Sequence, residues 1–427
     1  MSVVEMSNCT TPQLAGLTDA VLLAHEAQTA TPAYVYDLAM VARRHAELAA
    51  ALPGLGIRYA VKANPHPAIL HWLIGAGALI DASSIGEVRR ALAAGAGPGS
   101  VSFTGPGKRA SEITEAVLRG IGHLVVESLH QAELASAAAV QRGLVQPVLV
   151  RISPATSPKG FGARMTGLAT QFGIDEEQAP DALARIAAMP GLSFEGLHFF
   201  TGSNALDAAA IGANIEACVA IARALSAGLG RPLRRLILGA GFGLPYHAGQ
   251  VELDLPDVAL RIRAAVAPLK TDMPGLVVDM ELGRWLVAPA GQMLTRVVAR
   301  KTGRGATIAI CDGGFNAHLA ACGMMGSVLR RNWPIRNLSA PDRPQEKVTL
   351  AGPLCTSIDL LARDIEIAEA AIGNLLAVGF SGAYGATASP QGFISQPAVR
   401  EWVWDGLAFR DETPGEISVP DALEAAQ

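Results

Sequence analysis

The sequence predicts a (β/α)8 barrel followed by a mostly-β domain, and three observations carry that prediction. Eight brief apolar runs, each ending in a small or polar residue, alternate with Ala-rich stretches between about Thr31 and Asp279. That alternation fills roughly 250 residues, the span a barrel of eight strands and eight helices occupies. After Glu281 the texture changes: strand-like runs persist, but the helical spacers become short and irregular.

Taken in order, the barrel strands are IRYAVKA, ALIDAS, VSFTG, HLVVES, PVLVRIS, FEGLHFF, RRLILGAG and LVVDMELG. Each is a brief, mostly apolar run, the pattern of a strand covered on both faces. Between them EVRRALAAGA, SEITEAVLRG and QAELASAAAV carry helical spacing. An open doubly wound sheet shares the alternation but rarely needs so many parallel strands. Beyond the barrel, QMLTRVVARKT, GATIAICDGG, KVTLAGPLC and NLLAVGFSGAYG read as strands of the second domain. YVYD near residue 34 is a further strand preceding the barrel. The expected division is an N-terminal segment over 1–40 whose strand joins the β domain, a barrel over 41–280 and a β domain over 281–427.

Half of the 427 residues are hydrophobic and 17% are charged, so a large core can be buried. The net charge of −4 is spread along the chain, with neither a basic stripe for nucleic acid nor a polybasic membrane patch. The start, MSVVEMSNCTTPQ, lacks the basic and apolar regions of a signal peptide, and no uninterrupted apolar run of about 18 residues could span a bilayer. The five cysteines, Cys9, Cys218, Cys311, Cys322 and Cys355, have neither zinc-like spacing nor disulfide density. A cytoplasmic protein without a metal is expected.

Candidate functional residues fall at strand ends, where barrel enzymes place their chemistry. Lys62 ends the first barrel strand; partial desolvation there would lower its pKa and favour covalent chemistry at the amine, whereas an ordinary rim lysine would snorkel to water. The turn GAGFG, Gly239 to Gly243, lets backbone N–H groups approach an anion closely, although many glycine-rich turns are only turns. Glu281 and Arg284 in ELGR put an acid and a base at the last strand end, either as an ion pair or as groups that hold a ring nitrogen and a phosphate or carboxylate. Cys355, in GPLCTSID, is flanked by turn residues; its thiol is a candidate proton donor or a small buried hydrophobe.

Read together, YAVKANP, DASSIGE, FTGPGK, GAGFG, ELGR, GPLC and SGAY resemble, in order, the fold-type III decarboxylases that use pyridoxal 5′-phosphate (PLP). That family includes diaminopimelate, ornithine and arginine decarboxylases. The resemblance implies a barrel plus β domain, with Lys62 carrying PLP covalently and Asp81 close to the cofactor on a motif shared with Glu87. It implies that Gly239, Gly241, Gly243, Ser203 and Tyr384 bind phosphate and that Glu281 pairs with the pyridine nitrogen. Arg284 matches an arginine that contacts phosphate or substrate carboxylate. Cys355 matches a proton donor reaching into the partner's site, which implies a homodimer with shared active sites.

Two departures stand out. Family members place a histidine three residues before the phosphate-contacting serine, where it stacks on the cofactor ring. Here that position is Phe200, and the histidine is His198, which on a strand shares a face with it. Both are expected to face the cofactor. The acid that follows the cysteine in diaminopimelate and ornithine decarboxylases, where it binds a distal ammonium, is Thr356, with Asp359 as a possible replacement nearby. With FTGPGKR, HFFTGSN, DGGFNAHLAACG, LRRNWPI, GPLCTSIDLL and SGAYGATASP, these departures resemble two subgroups. One is the butirosin-pathway decarboxylase acting on carrier-bound glutamate; the other is the decarboxylases linked to exosortase A clusters.

The expected activity is α-decarboxylation of an amino acid or amino-acid-derived unit, free or carrier-tethered, in a specialised biosynthetic pathway. Substrate contacts are expected from Arg284, Thr356 and Asp359. The alternatives are a diaminopimelate decarboxylase, a racemase of the same fold type, and a non-catalytic PLP-binding protein. Racemases of that fold pair the ring nitrogen with arginine, so Glu281 favours decarboxylation, and the β domain with Cys355 disfavours the non-catalytic reading.

Overall fold

The computed structural model describes residues 16–26, 30–156, 159–324 and 331–413. Cys9 and the first residues of LRRNWPI lie outside them. Strand β1, Ala33–Asp37, precedes eight barrel strands: β2 Gly56–Ala60, β3 Leu79–Ala82, β4 Val101–Phe103, β5 His123–Val126, β6 Gln146–Ser153, β7 Leu192–Phe199, β8 Arg235–Gly239 and β9 Val277–Leu282. They pair in parallel from β2 through to β9, and β9 pairs with β2, so the sheet closes. All eight runs expected from the sequence are barrel strands. An open sheet would have left β2 and β9 unpaired on one side.

Helices between consecutive strands cover the barrel. Ile85–Ala93, for example, buries Ile85, Val88 and Ala91 against it and starts at Ser84, whose hydroxyl accepts the Glu87 N–H. The carboxylate of Glu87 in turn accepts the Ser83 N–H at 2.6 Å, and the two bonds satisfy donors that a helix start leaves unpaired. Helix Ala208–Leu229 is long and apolar enough to cross a membrane by composition, with a mean hydropathy of 1.5, but half of that stretch is buried inside the protein. It includes Asn214, Glu216 and Arg223, and it packs on helix Leu255–Asp272 as part of the barrel's outer layer.

Inside the barrel the period of two places Asp279 and Glu281 on one side of β9. Asp279 holds Arg58 at 2.8 Å and Arg235 at 2.5 Å, both from strands beside β9. Gly56 must lack a side chain because a Cβ there would sit 2.2 Å from the Asp279 carboxylate. Glu281 lies one step further toward the C-terminal end, where the chemistry collects.

The second domain contains β10 Gly291–Gly303, β11 Ala306–Cys311, β12 Ile335–Asn337, β13 Gln345–Ala351, β14 Leu360–Ala368, β15 Leu375–Val378, β16 Arg400–Trp404 and β17 Phe409–Asp411. Its sheet runs β14-β13-β11-β10-β1-β16-β17, with β15 pairing β10 and β12. Strand β1 is therefore central to this sheet, antiparallel to β10 and parallel to β16, although it precedes the barrel in sequence. Two hydrogen bonds join the domains beside the barrel mouth. Asn64 Nδ2 donates to the Gly382 carbonyl at 2.9 Å, and the Tyr384 N–H donates to the Ala63 carbonyl at 2.8 Å.

Candidate active site

At the C-terminal end of the barrel, a pocket is lined by Lys62, Phe200, Ser203, Gly241, Phe242, Glu281, Arg284, Trp285 and Tyr384, among others, and encloses about 360 Å³ including its mouth. Lys62 does not end a strand. It sits in the one-turn 3-10 helix Val61–Ala63 that follows β2, which turns its side chain over the pocket. Its Nζ lies 4.6 Å from the Phe200 ring centroid and 3.8 Å from Glu281 Oε1, and the side chain is 36% exposed. The sequence expectation of a lowered pKa is corrected: burial does push Lys62 down, but the charges of Glu281, Tyr384 and Asp81 outweigh it, and the net shift is upward.

Glu281 is 1% exposed. Burial pushes its carboxyl up, but a hydrogen bond from His198 and the Lys62 charge bring it down to about 2. It therefore stays ionised at neutral pH. His198 Nε2 is 2.8 Å from Glu281 Oε2. Here the structure departs from expectation: His198 does not line the pocket and touches it only through Glu281, whereas Phe200 lies at the wall. The register explains why. His198 is level with Ile237 and thus with Asp279, one step deeper than Glu281, while Phe200 lies beyond the end of β7.

Asp81 does not line the pocket either. Its Oδ1 accepts the hydroxyls of Ser102 at 2.7 Å and Thr104 at 2.5 Å, and burial, reinforced by the Glu281 charge, raises its pKa. Burial raises Glu87 to about 7. Sequence reasoning missed Arg151, at the end of β6. It pairs with Glu127 at 3.2 Å, stacks on Phe172 with its guanidinium 4.6 Å from that ring, and donates to the Phe200 carbonyl at 3.4 Å. A charged residue inside the apolar run PVLVRIS was the available signal.

The glycine turn packs against loop 199–205 rather than standing free. A Cβ at Gly239 would meet the Phe200 ring at 2.4 Å, and one at Gly243 would meet the Ala205 carbonyl at 2.8 Å. Gly241, with φ +66°, is the turn glycine that reaches the pocket, and a Cβ there would lie 2.9 Å from the Gly202 carbonyl. Beside it the Arg284 guanidinium lies 4.7 Å from the Tyr384 ring centroid and donates to Tyr246 Oη at 3.2 Å. Among the described residues no carboxylate is within ion-pair distance of Arg284. A half-buried guanidinium whose described partners are rings and a hydroxyl has charge to offer an anion.

Cys355, Thr356 and Asp359 are not at this pocket. Cys355 is exposed. Asp359, expected near substrate, is 2% exposed; its Oδ1 accepts the Phe315 N–H at 2.7 Å and its Oδ2 accepts the Leu354 N–H at 2.8 Å. Its carboxylate ties the loop carrying Cys355 to segment 313–315, a role that sequence spacing could not reveal.

The model of the pyridoxal-dependent decarboxylases, pyridoxal binding domain, matches residues 38–288, which include Lys62, the glycine turn and Arg284. The chain belongs to this family. This PLP-dependent decarboxylase is 31% identical to the L-glutamyl-[BtrI acyl-carrier protein] decarboxylase of Niallia circulans, over 86% of the chain and 87% of that protein. It is also 31% identical to the diaminopimelate decarboxylase of Zymomonas mobilis, over 89% of each. Among solved structures, a diaminopimelate decarboxylase of Helicobacter pylori complexed with L-lysine superposes with a TM-score of 0.83, at 27% identity, covering 92% of this chain and 96% of that one. The pocket suits the cofactor of the family: it offers an amine, a buried carboxylate, a glycine wall and a guanidinium with no carboxylate partner among the described residues.

Proposed function

We propose that this decarboxylase removes the α-carboxylate from an amino-acid unit whose far end carries no free ammonium, such as a unit held on a carrier through a thioester. The observation that supports this reading is the Cys355 loop. Thr356 offers a hydroxyl where a diamino acid would need a carboxylate, and the nearby Asp359 carboxylate is spent on two backbone N–H groups. Burying an ammonium without a carboxylate partner costs several kcal/mol. The likeness to a carrier-protein glutamyl decarboxylase points the same way.

Bound PLP serves as the sink for the electrons released when the carboxylate leaves. Lys62 would hold the cofactor covalently. Arg284, Ser203, Tyr384 and the N–H groups around Gly241 would hold its phosphate. Glu281, ionised and aimed into the pocket, would keep the ring nitrogen protonated, and Phe200 would lie against the ring face, excluding water without titrating. Cys355, exposed on its own chain, would enter the site of a second copy and deliver a proton to Cα from Sγ. A homodimer with shared sites follows from this assignment.

The test compares kcat/KM for diaminopimelate, ornithine, lysine and a pantetheine-linked glutamyl group. The tethered group is expected to exceed each free diamino acid by at least about tenfold, from the missing charge partner. A free diamino acid ahead by that margin refutes the reading.

A further inference from the structure

We propose that His198 is a positioning residue that keeps Glu281 ionised and aimed into the pocket. The inference rests on Glu281 being the partner of the cofactor's ring nitrogen. His198 is 1% exposed and lies outside the pocket wall, in the layer of Asp279, so its route to the chemistry runs through the 2.8 Å contact with Glu281 Oε2. Its other nitrogen, Nδ1, is buried with no hydrogen-bond partner. A proton there would be stranded, so the fitting tautomer carries it on Nε2 and donates it to the carboxylate.

This leaves the two Glu281 oxygens with different neighbours. Oε1 is the one near Lys62, at 3.8 Å, and Oε2 is held from within the barrel by the imidazole. With PLP bound, Lys62 would be taken up by its bond to the cofactor and would no longer offer a free ammonium to Glu281. Asp81 and Arg151 lie close by and interact with Glu281 through space. Among the described residues the His198 N–H is then the protein's own direct donor to Glu281. It also fixes the rotamer, because a carboxylate clamped at one oxygen cannot swing toward Asp81 or solvent. With Phe200 at the ring-facing position, the imidazole serves this carboxylate rather than the cofactor face.

Four proteins test the proposal: His198→Leu, His198→Gln, Glu281→Gln and the double variant His198→Leu/Glu281→Gln. Each is measured for PLP affinity, for the visible spectrum of bound PLP and for kcat. His198→Leu is expected to lower kcat by about 10- to 10²-fold and to shift the visible band, as loss of one bond to a buried charge would. His198→Gln, which keeps a donor of similar reach, is expected to recover most of both. The double variant is expected to be no slower than Glu281→Gln alone, because a residue acting only through Glu281 has nothing left to hold. Multiplying effects in the double variant, or a glutamine variant as poor as the leucine one, overturn the proposal and make His198 a packing residue. If His198→Leu does not fold, His198→Asn, too short to reach Oε2, carries the same comparison. A Glu281→Gln protein with unchanged kcat and spectrum would instead refute the Glu281 assignment itself.

Discussion

Replacing Asp359 by asparagine separates a loop clamp from a substrate contact. The carboxylate accepts two backbone N–H groups, at 2.7 Å from Phe315 and 2.8 Å from Leu354, and is 2% exposed. Gly314 and Gly352 close around it so tightly that a Cβ on either would lie 2.1 or 2.3 Å from its oxygens. Asparagine fits the space but turns an NH2 toward one of the two donors and removes the charge from the other bond. Losing one charge-assisted bond and burying an unpaired donor together cost about 3 kcal/mol. For a chain of this length, unfolding entropy converts that into a fall in Tm of a few degrees if the whole chain melts as one unit. Scanning calorimetry with PLP bound reads the shift, and steady-state assays read the ratio of kcat/KM between free diamino acids and the tethered glutamyl group. The Tm is expected to fall while that ratio stays constant. An unchanged Tm with a selective loss on diamino acids would show that Asp359 faces substrate.

Three further outcomes are expected. Lys62→Ala abolishes the visible band and the borohydride-reducible adduct with PLP; an adduct that survives removes Lys62 from its role. Mixing inactive Lys62→Ala and inactive Cys355→Ala proteins restores part of the activity once subunit exchange is shown by an independent label, and exchange without activity refutes the shared site. Stability falls on acidification because burial pushes His318, fully enclosed in the β domain, down to about 3, whereas an unfolded histidine titrates at 6.5. The unfolded chain then binds the extra proton below pH 6.5, so the folded state loses about 2 kcal/mol between pH 6.5 and pH 5 from this group. Urea unfolding that shows the same pH dependence in His318→Gln would refute that attribution.

The barrel was legible in the sequence because its strands, largely buried on both faces, read as brief, mostly apolar runs that alternate with helical stretches. Lys62, Glu281, Arg284 and the glycine turn were singled out as candidates near strand ends, although Lys62 lies in the turn after its strand, and their roles came from the order of motifs. The β domain was less legible: β12, β14, β16 and β17 carry charged residues such as Arg336, Glu366, Glu401 and Arg410, and were not recognised from the pattern. Residue spacing can say that His198 and Phe200 share a face, but not that the strand ends between them, and that end puts one behind Glu281 and the other at the wall. Nor can spacing say where a carboxylate points. Asp359 lies four residues from Cys355, yet its oxygens are consumed by backbone N–H groups, one of them from a segment 44 residues away. Residue types and their order determined the fold and the kind of chemistry, because burial and strand period are local properties of the chain. Only the tertiary structure decided which polar groups face the pocket, because hydrogen bonds between distant segments are settled when those segments pack.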